Sequence, residues 1–188
     1  MNTSFFKKIL YATDMADDSI FAFHYAMRMS LDCNAHLTII YVTPDEIEEM
    51  SANMSYDLSS HYDKEYLDTF NRDIITKSKE MLVKKINDQC KKINKQLSGC
   101  SVMPQVTIRT GDPVEQILLE AETDESDLIV IGSRGHSLFD NILIGSVAGG
   151  VVKKSGVPVI TVPLSKLLLS NDRYEEIPNI LTATRDAY

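Results

Sequence analysis

The sequence predicts an α/β fold: five strands in one mainly parallel sheet, with helices on both faces. Three observations carry this reading. Short apolar runs recur along the chain, among them Lys7 to Thr13 (KKILYAT), His36 to Val42 (HLTIIYV) and Asp127 to Ile131 (DLIVI). Runs of that length and character suit strands buried on both faces. Stretches with apolar residues at helical spacing separate them, and the strict alternation of strand with helix is the mark of parallel pairing.

The elements follow in order. The first strand closes at Asp14, and Asp17 or Asp18 is placed to cap the next helix. In that helix Ile20, Phe23, Met27 and Leu31, with Ala22 and Ala26 beside them, form one apolar face. The second strand, His36 to Val42, is stopped near Pro44. From Pro44 to about Asp63 the chain is acidic and is read as a surface excursion. A long helix is expected from Lys64 to Leu97, with Leu67, Phe70, Ile74, Met81, Leu82, Ile86, Ile93 and Leu97 as its buried stripe.

The lysines at 77, 79, 84, 85, 91, 92 and 95 are read as a solvated face of this helix. Ser98-Gly99 ends it, and Val102 to Arg109 forms a third strand whose Pro104 suits a sheet edge. Asp112-Pro113-Val114-Glu115 is a helix start with a cap, a first-turn proline and a capping-box acid. Val114, Ile117, Leu118 and Ala121 give that helix its apolar face. The fourth strand ends at Gly132, Ser146 to Ser155 is the last core helix, and Val157 to Val162, with Pro158, is a fifth strand at an edge. Residues 1–163 are thus read as one domain with an insert at about 44–63, and residues 164–188 as a C-terminal extension.

Composition narrows the function classes. Apolar residues make up 44 % of the 188-residue chain, which is ordinary for a globular domain. A net charge of -8 speaks against general binding of nucleic acid or of anionic membranes. Cys33, Cys90 and Cys100 are widely spaced, without metal-ligand pattern, and fit reduced thiols in a cytoplasmic protein. No apolar run approaches the ~18 residues of a membrane span, and Met1 to Lys8 lacks the order of a signal peptide. His24, His36 and His61 show no metal-ligand spacing, so no metal site and no catalytic residue is assigned.

The chemistry concentrates after the fourth strand. Of the eight glycines, six lie between Gly132 and Gly156, which singles this segment out as a loop built for close backbone approach. The spacing is Gly132-x-x-Gly135, nine residues, then Gly145-Ser146. Ser146 is read as the N-cap of the last helix, whose free first-turn amides and dipole make an anion site. For Gly132, Gly135, Gly145 and Ser146 phosphate binding is the preferred reading. For Gly149 and Gly150, inside the helix, close helix packing is preferred.

This glycine spacing resembles the nucleotide-binding signature of the universal stress protein family. Other stretches resemble other parts of that family: Lys8-Ile-Leu-Tyr-Ala-Thr-Asp14 with Ser19 and Tyr25-Ala26 its first strand and helix, Thr110-Gly-Asp-Pro113 its third helix start, and Asp127 to Gly135 with Ser155-Gly-Val-Pro-Val159 its final third; the resemblance covers about residues 5 to 163. It implies a Rossmann-like sheet of the adenine nucleotide alpha hydrolase type, order 3-2-1-4-5, and a homodimer in which the fifth strands (Val157 to Val162) pair. Members with the glycine signature are similar to binders of ATP, often with Mg2+. The positions matching Asp14 and Val42 would hold the nucleoside, and those matching Gly132, Gly135, Gly145 and Ser146 the phosphates. With their neighbours, the site implied is Ala12, Thr13, Asp14, Val42, Gly132, Ser133, Arg134, Gly135, Gly145, Ser146 and Val147. Ala16 stands where the family commonly has Ser, which removes a polar contact near Asp14.

The function expected is a dimeric ATP-binding module of a stress response rather than an enzyme. A slow ATPase or phosphotransferase at the same site is the first alternative. His136 is the one histidine of the loop and is read as a surface group rather than a base, and Arg134 as a loop arginine as readily as a phosphate ligand. Walker, GxSxG and HExxH signatures are missing from the sequence. The second alternative is a nucleotide-independent interaction module that uses the insert and the tail.

Overall fold

A computed structural model describes residues 5–16, 19–44, 63–96, 104–133 and 144–163. The strands are β1 (Lys8–Thr13), β2 (His36–Thr43), β3 (Gln105–Thr110), β4 (Leu128–Gly132) and β5 (Val159–Val162). The helices are α1 (Ile20–Cys33), α2 (Lys64–Gln96), α3 (Pro113–Thr123) and α4 (Ser146–Lys154). All strand pairs are parallel, and the order is β3-β2-β1-β4-β5. β1 is central, flanked by β2 through Leu10↔Thr38 and by β4 through Leu10↔Ile129.

Side chains alternate between two cores, as the pleat requires. Ile9, Tyr11, Leu37, Ile39, Leu128 and Val130 face α1 and α2. Leu10, Ala12, Ile40, Ile129 and Ile131 face α3 and α4. Every residue from Ile9 to Ala12 and from Leu128 to Ile131 is buried, which is why these strands show as unbroken apolar runs in the sequence.

Several expectations shift. β3 and β5 are edge strands, as their prolines suggested, but Pro104 and Pro158 stand just before them; the Pro158 carbonyl accepts from Ile129 N at 3.0 Å. Capping of α1 by Asp17 or Asp18 lies outside the described residues. The N-cap position is Ser19, whose hydroxyl donates to the Ala16 carbonyl at 2.6 Å rather than capping the first turn. Phe21 is fully buried although it lay off the expected stripe, while Ile20 and Leu31 are only partly covered. α1 touches β1, β2, β4 and β5, so the sheet buries a wide arc of it.

The stripe on α2 also differs. Leu82 and Ile86 are buried, but Met81 is 63 % exposed and Phe70 sits at 36 %. Neighbouring positions on a helix lie about 100° apart, and α2 packs narrowly over the β3 side of the sheet, so Met81 and Leu82 cannot share the buried side. No helix among the described residues is long and apolar enough to cross a membrane.

Candidate functional site

In an open parallel sheet ligands sit beyond the carboxyl ends of the strands, where the winding reverses. Here that point lies between β1 and β4, whose last ladder pair is Ala12↔Ile131. Asp14 and Ser133 each stand two residues past that pair, at the same end of the sheet.

The β1 side of the site is a tight turn. The Thr13 hydroxyl oxygen accepts from Met15 N at 3.1 Å and donates to Ser19 Oγ at 3.2 Å. Asp14 Oδ1 accepts from Ala16 N at 3.0 Å, the local bond by which an aspartate orders a turn. Met15 adopts φ 60, a left-handed conformation that side chains other than glycine rarely take. Its carbonyl accepts from the Lys85 ammonium of α2. Asp14 Oδ2 is buried and has no hydrogen-bond partner among the described residues. A buried carboxylate oxygen in that condition carries a desolvation cost that no described group offsets.

The β4 side is built of main chain. Gly132 pairs with Val162, Ser133 N donates to Val162 O at 2.7 Å, and Gly145 N donates to Ser133 O at 2.7 Å. The start of α4 is therefore held directly against the end of β4. Gly145 is the N-cap, in extended conformation (φ -66, ψ 165), and Gly149 N donates to its carbonyl at 2.8 Å. The expected cap at Ser146 is thus corrected by one residue. Ser146 is the first helical residue, exposed, and no side chain among the described residues caps the first turn. The turn's amides carry the partial positive charge of the helix end without an internal acceptor.

The remaining expected residues are placed as follows. Ala12 is buried in the α3/α4 core, and Val42 and Val147 pack against the same core half-buried. Arg134, Gly135 and His136 lie outside the described residues. Met15 and Lys85 were missed by the sequence reading. Nothing local marks a positive φ at a methionine, and Lys85 was assigned to a solvated face although it is half-buried against the Met15 turn. Of the two helical glycines, Gly150 supports close packing: a Cβ there would stand 2.7 Å from Val114 Cγ2 of α3.

A model of the universal stress protein family matches residues 5–163. The chain belongs to that family. It is 28 % identical over 162 residues to universal stress protein MJ0531 of Methanocaldococcus jannaschii, covering 86 % of this chain and 84 % of that protein. The solved structure of protein MJ0577 from the same organism is similar, with a TM-score of 0.59, 26 % identity and coverage of 84 % of this chain and 95 % of that one. The universal stress protein UspA of Lactobacillus plantarum shares the fold, with a TM-score of 0.59 at 22 % identity, over 83 % of this chain and 97 % of UspA. This universal stress protein thus has the family's sheet order, which the sequence reading took from the resemblance.

Proposed function

We propose that this universal stress protein binds an adenine nucleotide, ATP with Mg2+, between the ends of β1 and β4, and acts as a dimeric binding module rather than a catalyst. The observation that carries the reading is the buried, unpartnered Oδ2 of Asp14. It is an acceptor waiting for a donor, and nucleoside hydroxyls and amines are such donors. The uncapped first turn of α4 offers the complement, amide donors for phosphate oxygens. Val42, half-buried near the end of β2, would supply apolar surface for the nucleoside with Ala12 beneath it, and Gly132, Ser133, Gly145, Ser146 and Val147 would line the phosphate side, to which the family resemblance also assigns Arg134 and Gly135. The ATPase reading rests on Arg134 and His136, and the interaction reading on the insert and the tail, all outside the described residues. Dimerisation through β5 is supported by its place at the sheet edge, where one side of the strand is open to pairing among the described residues.

The test is direct. Titration of the purified chain with ATP and Mg2+ raises the melting temperature, because a ligand at 100 times its Kd adds about 2.7 kcal/mol to stability. Asp14→Ala abolishes the rise. No shift at millimolar ATP in the native chain would overturn the proposal. Sedimentation gives a particle of twice 21.1 kDa for the dimer.

A further inference from the structure

We propose that Lys85 is a positioning residue for the nucleoside end of the site, and that through it helix α2 and the bound nucleotide are coupled. The inference rests on the adenine-nucleotide reading above.

The turn that presents Asp14 is held mostly by its own neighbours. Thr13, Asp14 and Ser19 bond within the segment Thr13 to Ser19. These bonds all close short loops around Met15, whose left-handed backbone is costly for a residue with a side chain. Lys85 is different. Its ammonium reaches the Met15 carbonyl from a helix 70 residues further along the chain. A charged donor on a carbonyl in half-buried surroundings is among the stronger hydrogen bonds. It fixes the Met15–Ala16 peptide, whose Ala16 amide donates to Asp14 Oδ1, and so the direction in which the carboxylate is presented.

The geometry around the bond fits this role. Tyr11, Thr13, Met15, Ser19, Leu82, Lys85 and Ile86 line one small cleft between β1, α1 and α2. Pleat alternation puts Tyr11 on the α1/α2 side and Ala12 on the other. Thr13, the last residue of β1, lines the same cleft as Lys85, and the next position of the alternation, Asp14, falls on the α3/α4 side where α4 begins. Lys85 therefore grips the back of the turn whose front carries the unpartnered oxygen. The docking of α2 itself rests on Leu82 and Ile86, which are buried, while Lys85 between them is only half-buried.

Two consequences are measurable. Releasing the Met15 carbonyl lowers the fraction of chains with Asp14 in the binding-competent pose, and apparent affinity falls by that fraction. Coupling is reciprocal, so nucleotide must in turn steady α2.

The experiment uses the full chain as wild type, Lys85→Met and Lys85→Arg. Methionine keeps the apolar stem that packs beside Leu82, and arginine keeps a cationic donor. Calorimetric titration with ATP–Mg2+ and with AMP is expected to show Lys85→Met weakening both by the same factor, about tenfold. Lys85→Arg restores most of the loss. Amide exchange is expected to slow across residues 81–86 when ATP is added to wild type, but not when it is added to Lys85→Met. Equal ATP affinity in Lys85→Met and wild type overturns the inference while leaving the site intact. A loss that Lys85→Arg does not restore, or exchange in α2 of wild type that ignores ATP, overturns it as well. Failure of wild type to bind either nucleotide would instead remove the site reading on which it stands.

Discussion

The carbonyl oxygen of Ser133 accepts a 2.7 Å hydrogen bond from the amide of Gly145. That single bond brings the end of β4 and the start of α4 to one point. It also makes Gly145 the N-cap and leaves the Ser146 side chain without a capping role. Ser146→Ala should therefore leave stability unchanged to within about 0.5 kcal/mol, where loss of a true serine cap costs about 1 kcal/mol. Urea unfolding of the two chains decides between these values.

Ser146→Pro separates the amide from the hydroxyl. Proline suits the first helical position, and the extended Gly145 before it is compatible with a following proline. The fold should stand, but one amide of the proposed phosphate site is gone. Because hydrogen bonds to charged groups contribute about 1.5–3 kcal/mol, ATP affinity is expected to fall at least about tenfold. Titration of Ser146→Ala alongside shows whether the hydroxyl or the amide was responsible; equal binding by the proline variant argues against phosphate at this turn.

Asp14→Asn tests the carboxylate. Oδ1 can be replaced by the asparagine oxygen, which keeps the bond to Ala16 N. The negative charge at the unpartnered Oδ2 is removed. Without nucleotide the variant should match the native stability to within about 1 kcal/mol, since one unpartnered polar group replaces another. With ATP the native chain should be stabilised more. Melting curves at several ATP concentrations give both numbers, and parallel shifts for the two chains would exclude Asp14 from the site.

The parts of this molecule that could be seen in its sequence are those set by local pattern. The strands next to the reversal, Ile9 to Ala12 and Leu128 to Ile131, are buried on both faces and so carry no polar interruptions. The α3 start was readable because Asp112 Oδ1 accepts from Glu115 N at 2.9 Å, a bond fixed by a three-residue spacing. Asp14 and the Gly132–Gly145 pair entered the sequence reading by residue type, spacing and family resemblance. What stayed hidden depends on distant contacts. The Lys85 bond to Met15 joins two segments that no periodicity relates, and the helix cap moved from Ser146 to Gly145 because Ser133 anchors the amide of Gly145. The strand order came from family resemblance, since alternation alone permits several windings.

Met81 and Leu82 give a sharp contrast on adjacent residues. Met81 is 63 % exposed and Leu82 only 3 %. Met81→Lys should change stability by less than about 0.5 kcal/mol, as surface substitutions do. Leu82→Ala removes a core side chain that packs with Ile86 against the sheet, and should cost about 2–5 kcal/mol. Urea unfolding of both variants checks the pair; comparable losses would mean that α2 buries the wider stripe read from its sequence.

Gly149 and Gly150 are predicted to respond in opposite directions to the same change. A Cβ at Gly149 would meet only Ile144 Cγ2, at an ordinary 3.6 Å. Alanine is the better helix former there, so Gly149→Ala should stabilise the chain by about 0.5–1 kcal/mol. A Cβ at Gly150 would meet Val114 Cγ2 at 2.7 Å and Cγ1 at 3.2 Å. Valine has one strongly preferred rotamer in a helix and cannot swing aside, so Gly150→Ala should cost about 1–3 kcal/mol by overpacking α4 on α3. The double variant Gly150→Ala with Val114→Ala removes the clash and should recover most of that loss. Thermal unfolding of the four chains measures the coupling, and a Gly150→Ala penalty that persists without the Val114 side chain would trace to the helix backbone instead.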